Sequence, residues 1–195
     1  MDSPIIIVVK LAISFLIDAV PFAVIAMWGA GIDITKAGSG NPEFNNVWQV
    51  TNFRRSMVSL AGDVSKGAVA VLILTSTSDP EWLRWALGLA PVAGHCWTPF
   101  LGFNGGKGVA TLAGALLYLE LPITAACLVL YPTLRWFGRR MGWAEEGAIS
   151  SMTTMTVLAT AVTALRGFEL GAFAFLGLAI VVIRHAPNIR KIVAG

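Results

Sequence analysis

Apolar residues along this chain gather into seven runs separated by short polar breaks, at 4–29, 56–76, 81–96, 108–119, 122–137, 147–165 and 170–183. Runs this apolar predict helices in a lipid-like medium. A full bilayer crossing takes about 20 residues. The runs at 81–96, 108–119 and 122–137 are shorter. They predict spans completed by flanking residues, helices in a thinned bilayer, or partly re-entrant pieces. The expected fold is an all-α integral membrane protein of about seven transmembrane helices, in a single membrane-embedded domain over residues 1–195.

Composition supports that class. The chain is 56% hydrophobic and 13% charged, whereas soluble domains carry about 25% charged residues. Mean hydropathy is +0.73. The net charge of +3 reflects where a few basic residues sit. No cluster of Lys and Arg interleaved with aromatics occurs, so nucleic acid is not an expected partner. The first apolar run is too long for a signal-peptide core, contains Asp18 and lacks a small-residue cleavage site. It reads as a retained first helix. Cys96 and Cys127 lie in or beside apolar runs and suggest neither a disulfide framework nor a metal site.

Charge sets the expected orientation. With seven spans, one side carries Lys36, Arg54, Arg55, Lys107, Arg139, Arg140, Arg184, Arg190 and Lys191, with Arg135 near its edge. The other carries Arg84 and Arg166, and Lys10 lies within the first span. The positive-inside rule makes the first side cytoplasmic, with the N-terminus outside and the C-terminus inside. The unusual segments, 38–46, 103–108, 139–146 and 184–191, all fall on that side. The opposite turns are short and plain. The working face is therefore expected at the cytoplasmic surface of the cell membrane.

Four segments could carry chemistry. Gly105-Gly106-Lys107-Gly108 precedes an apolar run, so backbone N–H groups, a helix start and a lysine converge as they do around anions. It is not a Walker A loop, because Leu101 and Gly108 stand where that pattern needs Gly and Ser or Thr. A plain glycine turn is the alternative. Gly38-Ser39-Gly40-Asn41, followed by Asn45 and Asn46, offers a hydroxyl and amides, and also suits an ordinary polar turn. Asp63 and Lys66 lie three apart on one helix face inside an apolar run. They are either a functional pair or an internal neutralising one. Arg184, His185 and Asn188 could grip phosphate oxygens, and His95 or His185 could move a proton. No His-x4-Asp motif and no Gly-x-Ser-x-Gly elbow occurs. Two histidines without clustered acids or cysteines make no zinc pattern.

In order and spacing these segments resemble the membrane acyl-phosphate:glycerol-3-phosphate acyltransferase (PlsY) family. The matching pieces are Pro21-Phe22, Asp33-Ile34, Gly38-Ser39-Gly40-Asn41, Asn46-Val47, Asp63, Lys66-Gly67, Gly94-His95, Pro99-Phe100, Phe103, Gly105 through Thr111, Arg184-His185 and Asn188 through Lys191. The resemblance implies seven helices, a cytoplasmic active site, and one acyltransferase-like domain. It implies acyl transfer from acyl phosphate to glycerol 3-phosphate, with membrane lipids as surroundings and without cofactor or metal. It also implies Ser39, His185 and Asn188 as catalytic residues. Gly38, Gly40, Asn41, Asn46, Gly105, Gly106, Lys107, Gly108 and Arg184 are the expected substrate and phosphate contacts.

The chain departs from the family pattern at four places. Pro42-Glu43-Phe44-Asn45 stands where Ile-Gly-Ala-Thr is usual, and Gln49 holds the position of a functional arginine. A neutral amide lacks the bidentate grip of a guanidinium, so Arg54 and Arg55 are the nearby candidates to replace it. Met141 through Glu146 replaces a Tyr-Val-Ser segment and brings two acids. Asn104 stands in for a basic residue. Other readings are a divergent relative with another acceptor or donor, a non-catalytic protein that binds lipid phosphate, or a small transporter. A transporter would line a path through the bilayer with intramembrane charges.

Overall fold

The computed structural model describes residues 2–194, and within them the chain is all helical. Helix α1 (Pro4–Ala19) starts on a Ser3 cap with Pro4 in its first turn. It stops before Pro21, which has no N–H to continue the ladder. The short α2 (Phe22–Ala26) extends the same apolar stretch. Then come α3 (Phe44–Val50), α4 (Phe53–Leu74), capped by the Asn52 side chain, and α5 (Glu81–Cys96). A single 3₁₀ turn, Pro99–Leu101, leads into the glycine loop. After it follow α6 (Val109–Leu119), α7 (Leu121–Leu128), α8 (Leu130–Arg140), α9 (Glu146–Arg166), α10 (Phe168–Arg184) and α11 (Ala186–Ala194).

The apolar runs all became helices, with two refinements. The run at 122–137 is interrupted at Val129 into α7 and α8. Two polar segments, before α4 and after α10, also fold as the short helices α3 and α11. By length and composition three stretches can cross a bilayer: Pro4–Ala26, Phe53–Leu74 and Glu146–Arg166. A fourth is added if α10 and α11, bent by 62°, count as one. The remaining helices are shorter than a full crossing.

The core lies where α5, α6, α9 and α10 meet, around buried Trp85, Val92, Leu112, Leu116, Leu158 and Val162. Helices α4 and α6 approach closely: a Cβ on Gly67 would lie 2.2 Å from Thr111 O, and one on Gly114 1.9 Å from Val64 O. Small residues let helix backbones touch in this way where hydrophobic driving force between helices is weak. The outer surface is apolar, with Ile5, Val8, Leu16, Ile73, Leu165, Phe168 and Ile183 exposed. Such a belt suits lipid contact.

Outside the bundle interior, ion pairs gather at its two ends. Lys10 pairs with Asp79, and Arg166 with Glu81 and Glu120, at the turns after α4, α6 and α9. Lys107 pairs with Glu43, Arg139 with Glu146 and Lys191 with Glu145, around the loops at the other helix ends. The second set surrounds the candidate site.

Candidate active site

A cavity of about 390 Å³ opens among the loops of that second end. Its polar part is lined by Ser39, Glu43, Asn45, Asn46, Gln49, Lys107, Gly108, Arg135, Glu145, Glu146, His185 and Asn188. Asp63 and His95 reach it from α4 and α5. Its apolar wall comes from Leu60 and Val64 of α4, Val109 and Ala113 of α6, Leu128 of α7 and Met155 of α9. One space therefore joins a charged mouth to a hydrocarbon-like wall, the division an amphiphile requires.

The first loop is held by Asn46. Its buried amide accepts from Ser39 N at 2.9 Å and donates to Ile34 O and Ala37 O at 3.2 and 3.0 Å. A Cβ at Gly38 would collide with that amide at 2.2 Å. These bonds leave the exposed Ser39 side chain at the cavity rim. Asn46 was expected to bind substrate. Its amide holds the loop in shape while its side chain also lines the cavity. Gly38, Gly40 and Asn41 form the turn behind Ser39 and do not line the cavity.

The glycine loop is built differently from the expected ring of N–H groups. Gly105 N donates to Cys96 O at 3.1 Å, and Gly106 N donates to His95 O at 3.2 Å. Both amides thus satisfy the open C-terminal carbonyls of α5. The two carbonyls in turn accept from Arg184, whose Nη2 reaches Gly105 O at 2.6 Å and whose Nε reaches Gly106 O at 3.1 Å. Gly105, Gly106 and Arg184 were expected to touch phosphate. In this structure they hold the loop to α5 and α10, and none of them is among the cavity-lining residues. No side chain could replace either hydrogen: a Cβ at Gly105 would sit 1.9 Å from His95 O, and one at Gly106 2.1 Å from His95 Nε2. Lys107 and the start of α6 are the parts of the loop that line the cavity. Gly108 caps that helix in the left-handed region (φ 78°), with no side chain capping its first N–H groups.

Beneath the loop lies a buried polar cluster drawn from three helices. Lys66 Nζ donates to Asp18 O at 2.8 Å and Val20 O at 3.1 Å, the carbonyls freed where α1 ends. It stands 3.1 Å from Asp63 Oδ1 and 3.4 Å from Asp18 Oδ1. It also lies 3.0 Å from His95 Nδ1. An ammonium has only donors, so this contact makes Nδ1 the acceptor and leaves the His95 proton on Nε2. The Asp63–Lys66 pair belongs to this cluster, which Asp18 and His95 complete.

The third wall carries the tail and the acids. His185 is buried where α10 gives way to α11, and its Nδ1 lies 2.8 Å from Val181 O. A carbonyl only accepts, so Nδ1 carries the proton and Nε2 is left as an acceptor. Asn188 Nδ2 donates to Glu145 Oε2 at 2.6 Å, and Lys191 lies 3.1 Å from Glu145 Oε1. Partial burial opposes ionisation of Glu145, but Asn188 and Lys191 outweigh it and hold its carboxyl below the usual glutamate range.

Six of the expected site residues thus line one cavity: Ser39, Asn46, Lys107, Gly108, His185 and Asn188. The sequence reading did not assign Arg135, which carries the one guanidinium among the described lining residues. Arg135 donates to Asn45 Oδ1 and Tyr131 OH, and its Nε lies 3.5 Å from Glu146. Arg55 instead donates to Ala26 O and Trp28 O, and neither it nor Arg54 lines the cavity. The available signal for Arg135 was its four-residue spacing from Tyr131, which stacks both on one face of α8.

The profile of the family described as glycerol-3-phosphate acyltransferase matches residues 8–195. A glycerol-3-phosphate acyltransferase of Neisseria meningitidis serogroup A is 37% identical over 193 residues, covering 94% of this chain and 92% of the relative. One from Neisseria gonorrhoeae is 35% identical with the same coverage, and one from Jannaschia is 34% identical, covering 94% and 87%. The fold matches the crystal structure of PlsY (YgiH), an integral membrane glycerol 3-phosphate acyltransferase, in its glycerol 3-phosphate form. The TM-score is 0.85 at 23% identity, over 97% of this chain and 92% of that one. With a full-length profile match and relatives above a third identical, this chain belongs to the glycerol-3-phosphate acyltransferase family.

Proposed function

We propose that this chain transfers a fatty acyl group from acyl phosphate to the hydroxyl of glycerol 3-phosphate, giving lysophosphatidic acid. The observation that carries the reading is the single cavity in which Ser39, Lys107, Gly108, His185 and Asn188 meet an apolar wall. The family's curated members bear the name glycerol-3-phosphate acyltransferase. The two matching PlsY structures are described as glycerol 3-phosphate and lysophosphatidic acid forms, which supports a phosphate-bearing acceptor and a lipid product.

Acyl phosphate is a mixed anhydride with a good leaving group, so alignment supplies much of the acceleration. The acyl chain lies along Leu60, Val64, Val109, Ala113 and Met155. Lys107 and the N–H groups at the start of α6 hold phosphate oxygens, and Arg135 takes the place of the missing guanidinium. Ser39 orients substrate at the rim. The acceptor hydroxyl oxygen forms a bond to the acyl carbon. The bond from that carbon to the phosphate oxygen breaks, and its electron pair leaves on phosphate. The hydroxyl proton passes to His185 Nε2 and from there to the departing phosphate. Asn188 fixes the acceptor.

The same reading covers topology. The chain forms one domain that crosses the cell membrane seven times, with the N-terminus outside and the site facing the cytoplasm. The segregation of the Lys107–Glu43 and Lys191–Glu145 pairs from the Lys10–Asp79 and Arg166–Glu81 pairs supports it. The test uses purified protein with acyl phosphate and radiolabelled glycerol 3-phosphate, with acyl-CoA as the parallel donor. Labelled lysophosphatidic acid from acyl phosphate alone is the expected result. No product from folded protein would end the reading.

A further inference from the structure

Two carboxylates already occupy the groups on which phosphate recognition depends. Glu43 Oε1 lies 3.2 Å from Lys107 Nζ, with the two side chains only 19% and 18% exposed. Glu145 Oε2 accepts the Asn188 amide at 2.6 Å, while its Oε1 faces Lys191. Both acids line the cavity. A carboxylate oxygen at these distances makes the same charge-assisted contacts that a phosphate oxygen would make.

Neither contact is loose surface pairing. Glu43 begins α3 and makes no capping hydrogen bond there, so its carboxylate is committed to Lys107. Glu145 begins α9 with φ at 57°, in the left-handed region, which is costly for a side chain with a Cβ. Both sit where the chain departs from the family pattern, in Pro42-Glu43-Phe44-Asn45 and in Met141 through Glu146. A third departure points the same way, since neutral Gln49 lines the cavity where the pattern has arginine. The lining carries four carboxylates, Glu43, Asp63, Glu145 and Glu146, against the two fixed cations Lys107 and Arg135. Lys66, Lys191 and Arg139 stand beside Asp63, Glu145 and Glu146 from outside the lining, so the direct competition an entering phosphate meets is Glu43 on Lys107 and Glu145 on Asn188.

We infer that Glu43 and Glu145 are specificity-determining residues, occupying Lys107 and Asn188 so that a phosphate-bearing acceptor binds only by displacing them. This rests on the acyltransferase reading. The two acids set a weak affinity for glycerol 3-phosphate without taking part in the chemical step. Phosphate enters, Glu43 leaves Lys107, and Glu145 releases Asn188. The acids contribute to substrate choice by opposing ligands that cannot outcompete a carboxylate.

The test is the pair of isosteric variants Glu43→Gln and Glu145→Gln, each checked for the thermal transition of the parent protein. In each, KM for glycerol 3-phosphate should fall about tenfold with kcat changed by less than about twofold, the pattern of altered ground-state binding. The inhibition constant of inorganic phosphate should fall by the same factor. Glu43→Asp, which keeps the charge but shortens its reach, should give a smaller fall. An unchanged or raised KM in both glutamine variants would overturn the inference. If no variant and no parent protein makes lysophosphatidic acid, the acyltransferase reading fails. Calorimetry with inorganic phosphate then decides the carboxylates' role separately: tighter binding to the variants supports it, and equal or weaker binding overturns it.

Discussion

Arg184 Nη2 donates to Gly105 O at 2.6 Å, tying the end of α10 to the loop before α6 across 79 residues. The same guanidinium reaches Gly106 O and lies 6.0 Å from the Trp97 ring centroid. A residue with the chemistry of a phosphate ligand therefore serves as the brace that aims Lys107 and the start of α6 into the cavity.

Removing that brace should loosen the loop without unfolding the bundle. Arg184→Ala is expected to lower kcat/KM by about thirtyfold, equivalent to about 2 kcal/mol, in line with losing hydrogen bonds from a charged donor. Arg184→Lys reaches one carbonyl and should recover part of the loss. Steady-state kinetics at saturating acyl phosphate, with a thermal melt as control, measures both.

Gly106 has no room for a methyl group, because a Cβ would meet His95 Nε2 at 2.1 Å. Gly106→Ala should cost about 1–3 kcal/mol of local strain by overpacking and sharply reduce transfer. Gly102, whose Cβ would meet nothing within 4 Å, lies nearby in a left-handed turn. Gly102→Ala should cost only about 1–2 kcal/mol of backbone strain there and leave transfer close to normal. Parallel assays of the two variants check the contrast.

Lys66 balances Asp18 and Asp63 inside the bundle, with its side chain 4% exposed. Lys66→Met leaves two buried carboxylates without their cation. The expected loss of stability is about 3–5 kcal/mol, the usual cost of breaking a buried pair from one side. Thermal or denaturant unfolding in detergent micelles measures it. An added Asp63→Asn change should recover part of the loss, because it removes one stranded charge.

Arg135 should matter more to substrate affinity than either arginine that follows Gln49 in sequence. Arg135→Ala is expected to raise KM for glycerol 3-phosphate by about tenfold or more, as loss of a charged hydrogen bond does. Arg54→Ala should change KM by less than about twofold, the range of an exposed charge. Equal effects of the two substitutions would remove Arg135 from the phosphate site.

The helical membrane class was legible because lipid allows few answers. Long apolar runs must satisfy every backbone N–H and C=O internally, and a helix does so without a partner. The runs at 81–96, 108–119 and 147–165 appear as α5, α6 and α9 nearly to the residue. The reaction class was legible for a different reason. Gly105 through Thr111 and the tail at Arg184–His185 form an ordered pattern, and a pattern survives without coordinates.

The contacts inside that pattern were decided only in three dimensions. Glycine next to lysine suggests a phosphate cradle, but Gly105 and Gly106 spend their amides on the end of α5. Asn46 looks like a ligand, but its amide is consumed by Ile34 O, Ala37 O and Ser39 N. Arg135 looks like a boundary charge, but 90 residues of chain fold it onto Asn45. The sequence by itself determined which groups are present and that they must live in helices, because helix formation and burial are local or compositional effects. Which donor meets which acceptor depends on helix ends brought together from distant parts of the chain, and that only the tertiary structure decided.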